Sequence, residues 1–126
     1  MADILIVEDD PSIRKALTMG LATKKFKVDS AHDGFTGVNM AAKNKYDILI
    51  TDLYLPDNDG LEVVRKATIY NPDIISIIIT GRGTLESSIR AIRLGVFDYF
   101  EKPVSLKEVE NAIVKGLNKR SLIQKK

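Results

Sequence analysis

Three short, almost wholly apolar runs constrain the fold more than any other feature of the sequence. They cover residues 4–7, 48–51 and 74–80. Runs of this length are typical of parallel strands that are covered on both faces. Residues 27–31 and 97–101 mix polar with apolar side chains, which indicates two further strands at the edges of a sheet.

The segments between these strands carry apolar residues at helical spacing, so the chain is predicted to alternate strand and helix five times. This alternation favours an α/β fold, a doubly wound parallel sheet with helices on both faces and right-handed crossovers. The apolar strands belong in the middle and the mixed strands at the edges, which fits the strand order 2-1-3-4-5. The carboxyl ends of strands 1 and 3 then meet at a crevice, where such sheets usually bind ligands.

Helix boundaries are marked by proline, glycine and capping residues. Pro11 suits the first turn of the first helix, and Asp33 can cap the second. Gly95 fits the position just after the fourth helix. The sequence SLKE at residues 105–108 is a capping-box pattern and predicts the start of the last helix.

Composition narrows the class of protein. A chain of 126 residues is expected to form one domain, and without cysteine it can hold neither a disulfide nor a cysteine-based metal site. We find no signal-peptide pattern and no apolar run of membrane-spanning length. The sequence therefore predicts a cytoplasmic protein without membrane contact.

Basic charge is concentrated near the C-terminus. Residues 115–126 carry +5, so the net charge of +2 leaves residues 1–114 at −3. Lysine and arginine suit the negative end of a helix dipole, which explains this cluster better than nucleic-acid binding does. We expect no direct nucleic-acid binding, a domain at residues 1–120, and a basic tail or the start of a linker at residues 121–126.

Polar residues with related chemistry follow four of the five predicted strands. In chain order they are Asp9, Asp10, Asp52, Thr80 and Lys102. Carboxylates that share a cleft repel one another unless a cation binds or their pKa values rise. Mg²⁺ prefers such oxygen ligands. With Mg²⁺, a lysine and a hydroxyl beside it, a carboxylate can attack a phosphoryl group and form an aspartyl phosphate.

Four motifs, taken together, resemble the response-regulator receiver domain of the CheY-like superfamily. They are ILIVEDD, DILITDLYLPDNDG, IIITGRG and DYFEKP, in this order, and the resemblance covers about residues 3–118. It implies the flavodoxin-like (βα)5 fold. The stretch from residue 79 to residue 103 also resembles receivers attached to NtrC-type transcriptional activators.

The resemblance assigns a role to each polar residue. Asp52 corresponds to the phosphoacceptor, Asp10 to a direct Mg²⁺ ligand and Asp9 to an acid that acts largely through water, with Glu8 just outside the pair. The main-chain carbonyl of Tyr54 corresponds to a further metal ligand.

The remaining roles concern the phosphoryl group and the response to it. Lys102 corresponds to the lysine that pairs with phosphate, Thr80 to the switch hydroxyl and Tyr99 to the switch aromatic. The family usually has a cis peptide where this chain has Lys102 and Pro103.

The function implied by the resemblance is signal reception in a two-component system rather than enzymatic catalysis. A histidine kinase presents phosphohistidine, Asp52 takes the phosphoryl group, and the surface of the fourth helix, fifth strand and fifth helix changes. That surface would contact a downstream protein, an output domain or a second copy of the chain. We further hypothesise that Tyr54 and Arg82 limit water access and slow autodephosphorylation.

Two alternatives make different demands on the sequence. A Mg²⁺-dependent phosphohydrolase with an aspartyl nucleophile usually needs a second acid two residues after the nucleophile, where this chain has Tyr54. A flavodoxin-like binding module would present hydroxyl and N–H groups in its first loop, where this chain has Glu8, Asp9 and Asp10.

Overall fold

Five strands alternate with five helices in the computed structural model, which describes residues 2–124. The strands are β1 (Asp3–Val7), β2 (Lys27–Ala31), β3 (Ile48–Thr51), β4 (Ile75–Thr80) and β5 (Asp98–Glu101). The helices are α1 (Pro11–Thr23), α2 (Gly34–Lys43), α3 (Gly60–Tyr70), α4 (Leu85–Leu94) and α5 (Leu106–Gln124). All neighbouring strands are parallel, in the order β2-β1-β3-β4-β5, which confirms the predicted fold class and topology.

Two apolar layers hold helices on both faces of the sheet. Alternate residues of a strand point to opposite faces, so Leu5 and Val7 of β1 join one layer while Ile4 and Ile6 join the other. The first layer packs against α2 and α3, and the second packs against α1 and α5. The apolar character of β1, β3 and β4 therefore follows from burial on both sides.

Strand register brings the carboxyl ends of the strands to one level. Val7 pairs with Thr51, and Thr51 pairs with Ile78. One strand further along, Thr80 pairs with Glu101. Polar residues that follow these positions consequently meet at one edge of the sheet.

The predicted helix boundaries are confirmed with small shifts. Asp33 caps α2 by accepting the N–H of Thr36, and Gly95 ends α4 with a φ of 88° in the left-handed region. Ser105 Oγ accepts the N–H of Glu108, whose carboxylate accepts the N–H of Ser105, so the capping box is present.

The last helix is longer than the sequence pattern suggested. It continues to Gln124, so the boundary predicted at residue 120 falls inside α5, and Lys125 and Lys126 of the predicted tail lie outside the described residues. Arg120 anchors this part of α5 through an ion pair with Asp47 at 2.8 Å. Within residues 2–124, none of the helices combines the length and the apolar character needed to cross a membrane.

Candidate functional site

Asp52 directly follows the carboxyl end of β3, the strand that lies between β1 and β4. Its N–H donates to the carbonyl of Val7 at 3.0 Å, which fixes the backbone against β1. The side chain is buried, with Oδ1 accepting the N–H of Tyr54 at 3.1 Å. Its other oxygen, Oδ2, accepts a hydrogen bond from Lys102 Nζ at 2.8 Å. One face of the carboxylate is thus organised by the backbone and the other by an ammonium group.

Three carboxylates converge at this point. They belong to Glu8, Asp9 and Asp52, and one oxygen from each lies within 4.8 Å of the other two. Glu8 is only 3% exposed, and its Oε1 lies 2.8 Å from Lys102 Nζ. The ammonium group of Lys102 therefore bridges two of the three acids.

Asp10 does not join this cluster, contrary to our expectation of a direct metal ligand. Its Oδ1 accepts the N–H groups of Ser12 at 2.8 Å and Ile13 at 3.2 Å, so it caps α1. Glu8, which we placed just outside the acidic pair, lies in the cluster together with Asp9. The sequence contained the relevant signal, because proline favours the first helical position and the residue before Pro11 is then the natural N-cap.

Burial and charge act against each other in the cluster. Burial raises the pKa of Glu8 above its ordinary value, and the hydrogen bond from Lys102 only partly offsets this effect. Burial alone would lower the pKa of Lys102, but its hydrogen bonds to Asp52 and Glu8 outweigh it and raise the pKa. Lys102 therefore remains charged, and among residues 2–124 its one positive charge contacts two acids of a cluster of three. This excess of hard oxygen ligands fits a divalent cation such as Mg²⁺.

Thr80 ends β4 beside the cluster and is fully buried. Its Oγ1 accepts the N–H of Arg82 at 3.3 Å, which leaves the hydroxyl hydrogen available to another acceptor. The guanidinium of Arg82 stacks 4.6 Å from the ring centroid of Tyr54, a cation–π contact. Tyr54 and Arg82, which lie two residues after Asp52 and Thr80 respectively, are thus in contact.

Tyr99, the predicted switch aromatic, lies on β5 and packs against the apolar layer that contains Ile78 and Ala91. Its hydroxyl lies 2.7 Å from Ser87 Oγ in the first turn of α4. The peptide bond between Lys102 and Pro103 is cis, as the resemblance implied. Ser87 was missed at the sequence level, because its role depends on contact with a residue from another element.

Gly60 is a second residue that the sequence did not single out. Its N–H donates to the carbonyl of Leu53 at 2.7 Å, which closes the loop after Asp52 onto the start of α3. A Cβ atom at Gly60 would lie 2.0 Å from the carbonyl oxygen of Asp52. Only glycine permits this approach of two backbones, so Gly60 helps to fix the position of Asp52.

The family model of the response regulator receiver domain matches residues 4–114 of the chain. The chain belongs to the response regulator receiver domain family. It is 32% identical over 117 residues to the DNA-binding transcriptional regulator NtrC of Azospirillum brasilense, covering 93% of this chain and 24% of NtrC. It is 36% identical over 106 residues to the transcriptional regulatory protein CusR of Escherichia coli K12, covering 84% of this chain and 47% of CusR. The receiver chain thus spans less than half the length of these relatives.

Solved structures of receiver domains share its architecture. A CheY-like receiver domain protein from Methanospirillum hungatei superposes with a TM-score of 0.92 at 27% identity, covering 96% of this chain and 97% of that one. The beryllofluoride-activated NtrC4 receiver domain dimer superposes with a TM-score of 0.88 at 25% identity, covering 95% and 99%. Residues 4–114 therefore form a two-component receiver domain, a phosphoacceptor module for signalling.

Proposed function

We propose that Asp52 of this receiver accepts a phosphoryl group from the phosphohistidine of a histidine kinase. An oxygen of the Asp52 carboxylate bonds to phosphorus while the bond from phosphorus to the imidazole nitrogen breaks, and that nitrogen keeps the electron pair. The observation that carries this proposal is the fixed carboxylate, held by the N–H of Tyr54 and by Lys102 Nζ at 2.8 Å. Such positioning and charge compensation supply most of the catalysis in phosphoryl transfer.

The residues of the cluster fit Mg²⁺, with Glu8, Asp9 and Asp52 as the groups that would hold it. The main-chain carbonyl of Tyr54 remains a predicted further ligand. When bound, Mg²⁺ would offset the negative charge that a phosphoryl group brings into an acidic crevice. Lys102 would pair with a phosphoryl oxygen, and its raised pKa keeps it protonated for this role.

A kinase that donates a phosphoryl group must bind to the surface of the receiver, and the receiver has an apolar groove next to Lys102. The groove has a volume of about 470 Å³. It is lined by Ile13, Ala16, Leu17, Ile79, Lys102, Pro103, Val104 and Leu106. We assign the kinase contact to this groove. Leu17→Arg should slow transfer from the kinase but leave labelling by acetyl phosphate unchanged, and equal rates with the kinase would contradict the assignment.

Phosphorylation would change the surface formed by α4, β5 and α5, and this surface would transmit the signal to a partner. Leu85, Ile89 and Ile92 form an apolar row at helical spacing on α4, and Leu85 and Ile92 are 78% and 74% exposed. This row suits a downstream protein, an output domain or a second copy of the receiver. Sedimentation of the receiver with and without beryllofluoride tests the last of these, and Ile92→Glu should abolish any dimer that uses this face.

The lifetime of the phosphorylated state would depend on the stacked pair of Tyr54 and Arg82. Hydrolysis of an acyl phosphate needs a water in line with the bond to phosphorus, and we expect the stacked pair to restrict the approach of that water. Tyr54→Ala and Arg82→Ala should each speed autodephosphorylation. If both variants lose the phosphoryl group at the same rate as the wild type, the proposal is wrong.

Labelling with acetyl phosphate tests the proposed function directly. The wild type, incubated with Mg²⁺, should gain the mass of one phosphoryl group, whereas Asp52→Asn should gain none. Asp57→Asn is the matched control, because Asp57 lies in the same loop but its oxygens accept the N–H groups of Gly34 and Phe35. Equal labelling of Asp52→Asn and the wild type would exclude Asp52 as the phosphoacceptor.

The phosphohydrolase alternative is not favoured. The family model matches residues 4–114, and Tyr54 occupies the position where such an enzyme usually carries its second acid. Turnover of a small phosphate ester that is lost in Asp52→Asn would nevertheless reinstate it.

A further inference from the structure

The loop between β4 and α4, residues 81–84, is attached to the phosphoacceptor site at one end and to the α4 surface at the other. At the site end, Arg82 donates its N–H to Thr80 Oγ1 and stacks on Tyr54. At the α4 end, Thr84 caps the helix together with Ser87, in a capping box with both backbone contacts at 3.0 Å. Any shift of this loop therefore changes where α4 begins.

Ser87 makes one contact that the capping box does not require. Its Oγ, in a side chain with only 5% of the residue exposed, lies 2.7 Å from the hydroxyl of Tyr99 on β5. Ser87 Oγ already accepts the N–H of Thr84 and lies 3.0 Å from the carbonyl of Thr84. Whichever hydroxyl donates in the Ser87–Tyr99 pair, the tyrosine is joined to the cap of α4.

Gly83 makes room for this arrangement. A Cβ atom at position 83 would lie 2.8 Å from the hydroxyl of Tyr99 and 3.2 Å from its Cε1. The tyrosine hydroxyl is therefore held between the loop and the first turn of α4, close to both. The side chain can leave this place only by giving up its bond to Ser87.

We propose that Ser87 is a positioning residue that couples the orientation of Tyr99 to the N-terminal cap of α4. The coupling rests on the proposed function, in which a phosphoryl group arrives at Asp52. Its oxygens would accept the available hydroxyl hydrogen of Thr80 and attract the guanidinium of Arg82. These are the two groups that hold the site end of the loop. Through Ser87, movement of the loop and reorientation of Tyr99 become a single event.

The consequence falls on the exposed apolar row of α4. Leu85 is the first residue of the helix and follows the cap directly, so the geometry of the cap decides where its side chain points. A receiver that lacks the Ser87–Tyr99 bond would still bind a phosphoryl group. It would present Leu85 in the same way before and after binding, because the two ends of the loop would no longer move together.

A double-mutant cycle tests the coupling, with beryllofluoride and Mg²⁺ as the phosphoryl probe. Ser87→Ala and Tyr99→Phe should each change the Kd for beryllofluoride by about three- to tenfold in the same direction, the range expected for one hydrogen bond. The double variant should match either single variant, because the same bond is lost in each. Ser88→Ala is the matched control, since Ser88 is half-buried in the same turn of α4 and its hydroxyl donates to the carbonyl of Leu85.

Fluorine NMR of the receiver labelled with 3-fluorotyrosine supplies a second readout. The chain has four tyrosines, and Tyr99→Phe identifies the Tyr99 resonance by its loss. Ser87→Ala should shift that resonance even without beryllofluoride, and Ser88→Ala should leave it in place. Tyr99→Phe keeps the capping box whole, so the test does not depend on the folding of Ser87→Ala.

The outcomes separate the two proposals. A wild-type receiver that fails to bind beryllofluoride with Mg²⁺ overturns the proposed function. Binding in the wild type, with a Kd that Tyr99→Phe leaves unchanged or with effects that multiply in the double variant, overturns the coupling alone. A Tyr99 resonance that is insensitive to Ser87→Ala overturns the coupling as well, whatever the receiver binds.

Discussion

Replacing Gly60 by alanine should disturb the receiver more than any other single added methyl group near the site. The added Cβ would meet three backbone atoms, the carbonyl oxygen of Asp52 at 2.0 Å and the carbonyl carbon of Asp52 and the Cα of Leu53 at 2.9 Å. A flexible side chain could rotate away from such a contact. Backbone atoms cannot, so the loop that carries Asp52 must move away from the start of α3.

The size of the effect follows from these distances. Real Cβ contacts essentially never fall below 3.0 Å, so the Asp52 oxygen must retreat by at least 1 Å. That retreat strains the hydrogen bond from Gly60 N–H to the Leu53 carbonyl, which is 2.7 Å long. Overpacking typically costs about 1–3 kcal/mol and occasionally more. We expect Gly60→Ala to lose about 3 kcal/mol, a large share of the roughly 5–15 kcal/mol that stabilises a typical domain.

Urea unfolding followed by circular dichroism measures this loss, with Gly81→Ala as the matched control. A Cβ at Gly81 meets only Lys102 Cδ, at 3.8 Å, which is ordinary contact. Gly81→Ala should therefore stay within about 0.5 kcal/mol of the wild type. In thermal unfolding, a loss of about 3 kcal/mol corresponds to a Tm lower by roughly 10–15 °C for a domain of this size.

The functional readout sharpens the prediction. Because Gly60→Ala displaces the backbone of Asp52, labelling by acetyl phosphate should slow at a temperature where the variant is still folded. If Gly60→Ala unfolds at the same urea concentration as Gly81→Ala, the close approach of the two backbones does not determine the loop, and the reasoning is wrong.

Three further predictions concern the carboxylate cluster around Asp52, the end of α5 and the turn that contains Lys25. Glu8→Gln should weaken Mg²⁺ binding about tenfold or more in a calorimetric titration. Asp10→Asn should change neither the Mg²⁺ affinity nor the stability, since asparagine is an equally good N-cap. The opposite ranking of the two variants would restore Asp10 as the ligand. Arg120→Ala should destabilise the receiver by about 1 kcal/mol at neutral pH. Burial alone would raise the pKa of Asp47, but its hydrogen bonds from the N–H of Asp3 and from Arg120 hold that pKa below 3.8. The contribution of the pair is therefore present above pH 3.8 and is lost as the pH falls through the lowered pKa, so unfolding curves of the variant and the wild type should converge there. Lys25 has a φ of 70°, and Lys25→Gly should raise stability by about 0.5–1 kcal/mol in the same assay; a loss would show that Lys25 makes a compensating contact.

The arrangement of the sheet could be predicted because it follows from local pattern. Strands buried on both faces must be apolar throughout, as residues 48–51 are, and edge strands need not be. Once the strand order is known, parallel register forces the residues after β1, β3, β4 and β5 to one edge. Asp52, Thr80 and Lys102 could therefore be assigned to one site from the sequence.

The choice among three successive acids could not be made from the same pattern. Glu8, Asp9 and Asp10 differ by one position each, and a single residue decides which carboxylate faces the crevice. Glu8 is still tied to the sheet, since its N–H donates to the carbonyl of Ala31 at 3.0 Å, while Asp10 has already turned to cap α1. Pro11 distinguishes Asp10 from the other two acids, because proline prefers the first helical position and the residue before it is then the N-cap.

The roles of Gly60 and Ser87 could not be predicted from neighbouring residues in the sequence. Each matters because of one distant partner, the backbone of Asp52 for Gly60 and the hydroxyl of Tyr99 for Ser87. Nothing in the residues around either position encodes that partner. Such contacts become visible only when the packing of whole elements is known.

The contacts of Lys102 explain why phosphorylation of Asp52 should move the β4–α4 loop rather than the strands of the sheet. Its ammonium contacts both Glu8, which follows β1, and Asp52, which follows β3. The positive charge of Lys102 thus links the ends of these two strands. A phosphoryl group at Asp52 would take over one of these contacts without needing any strand to move, because the ladder on either side is fixed by register. The contact between Arg82 N–H and Thr80 Oγ1 is long at 3.3 Å and is made by a loop. We therefore expect the added negative charge to displace the loop rather than the strands. Because α4 begins directly after this loop, the displacement would reach the helix.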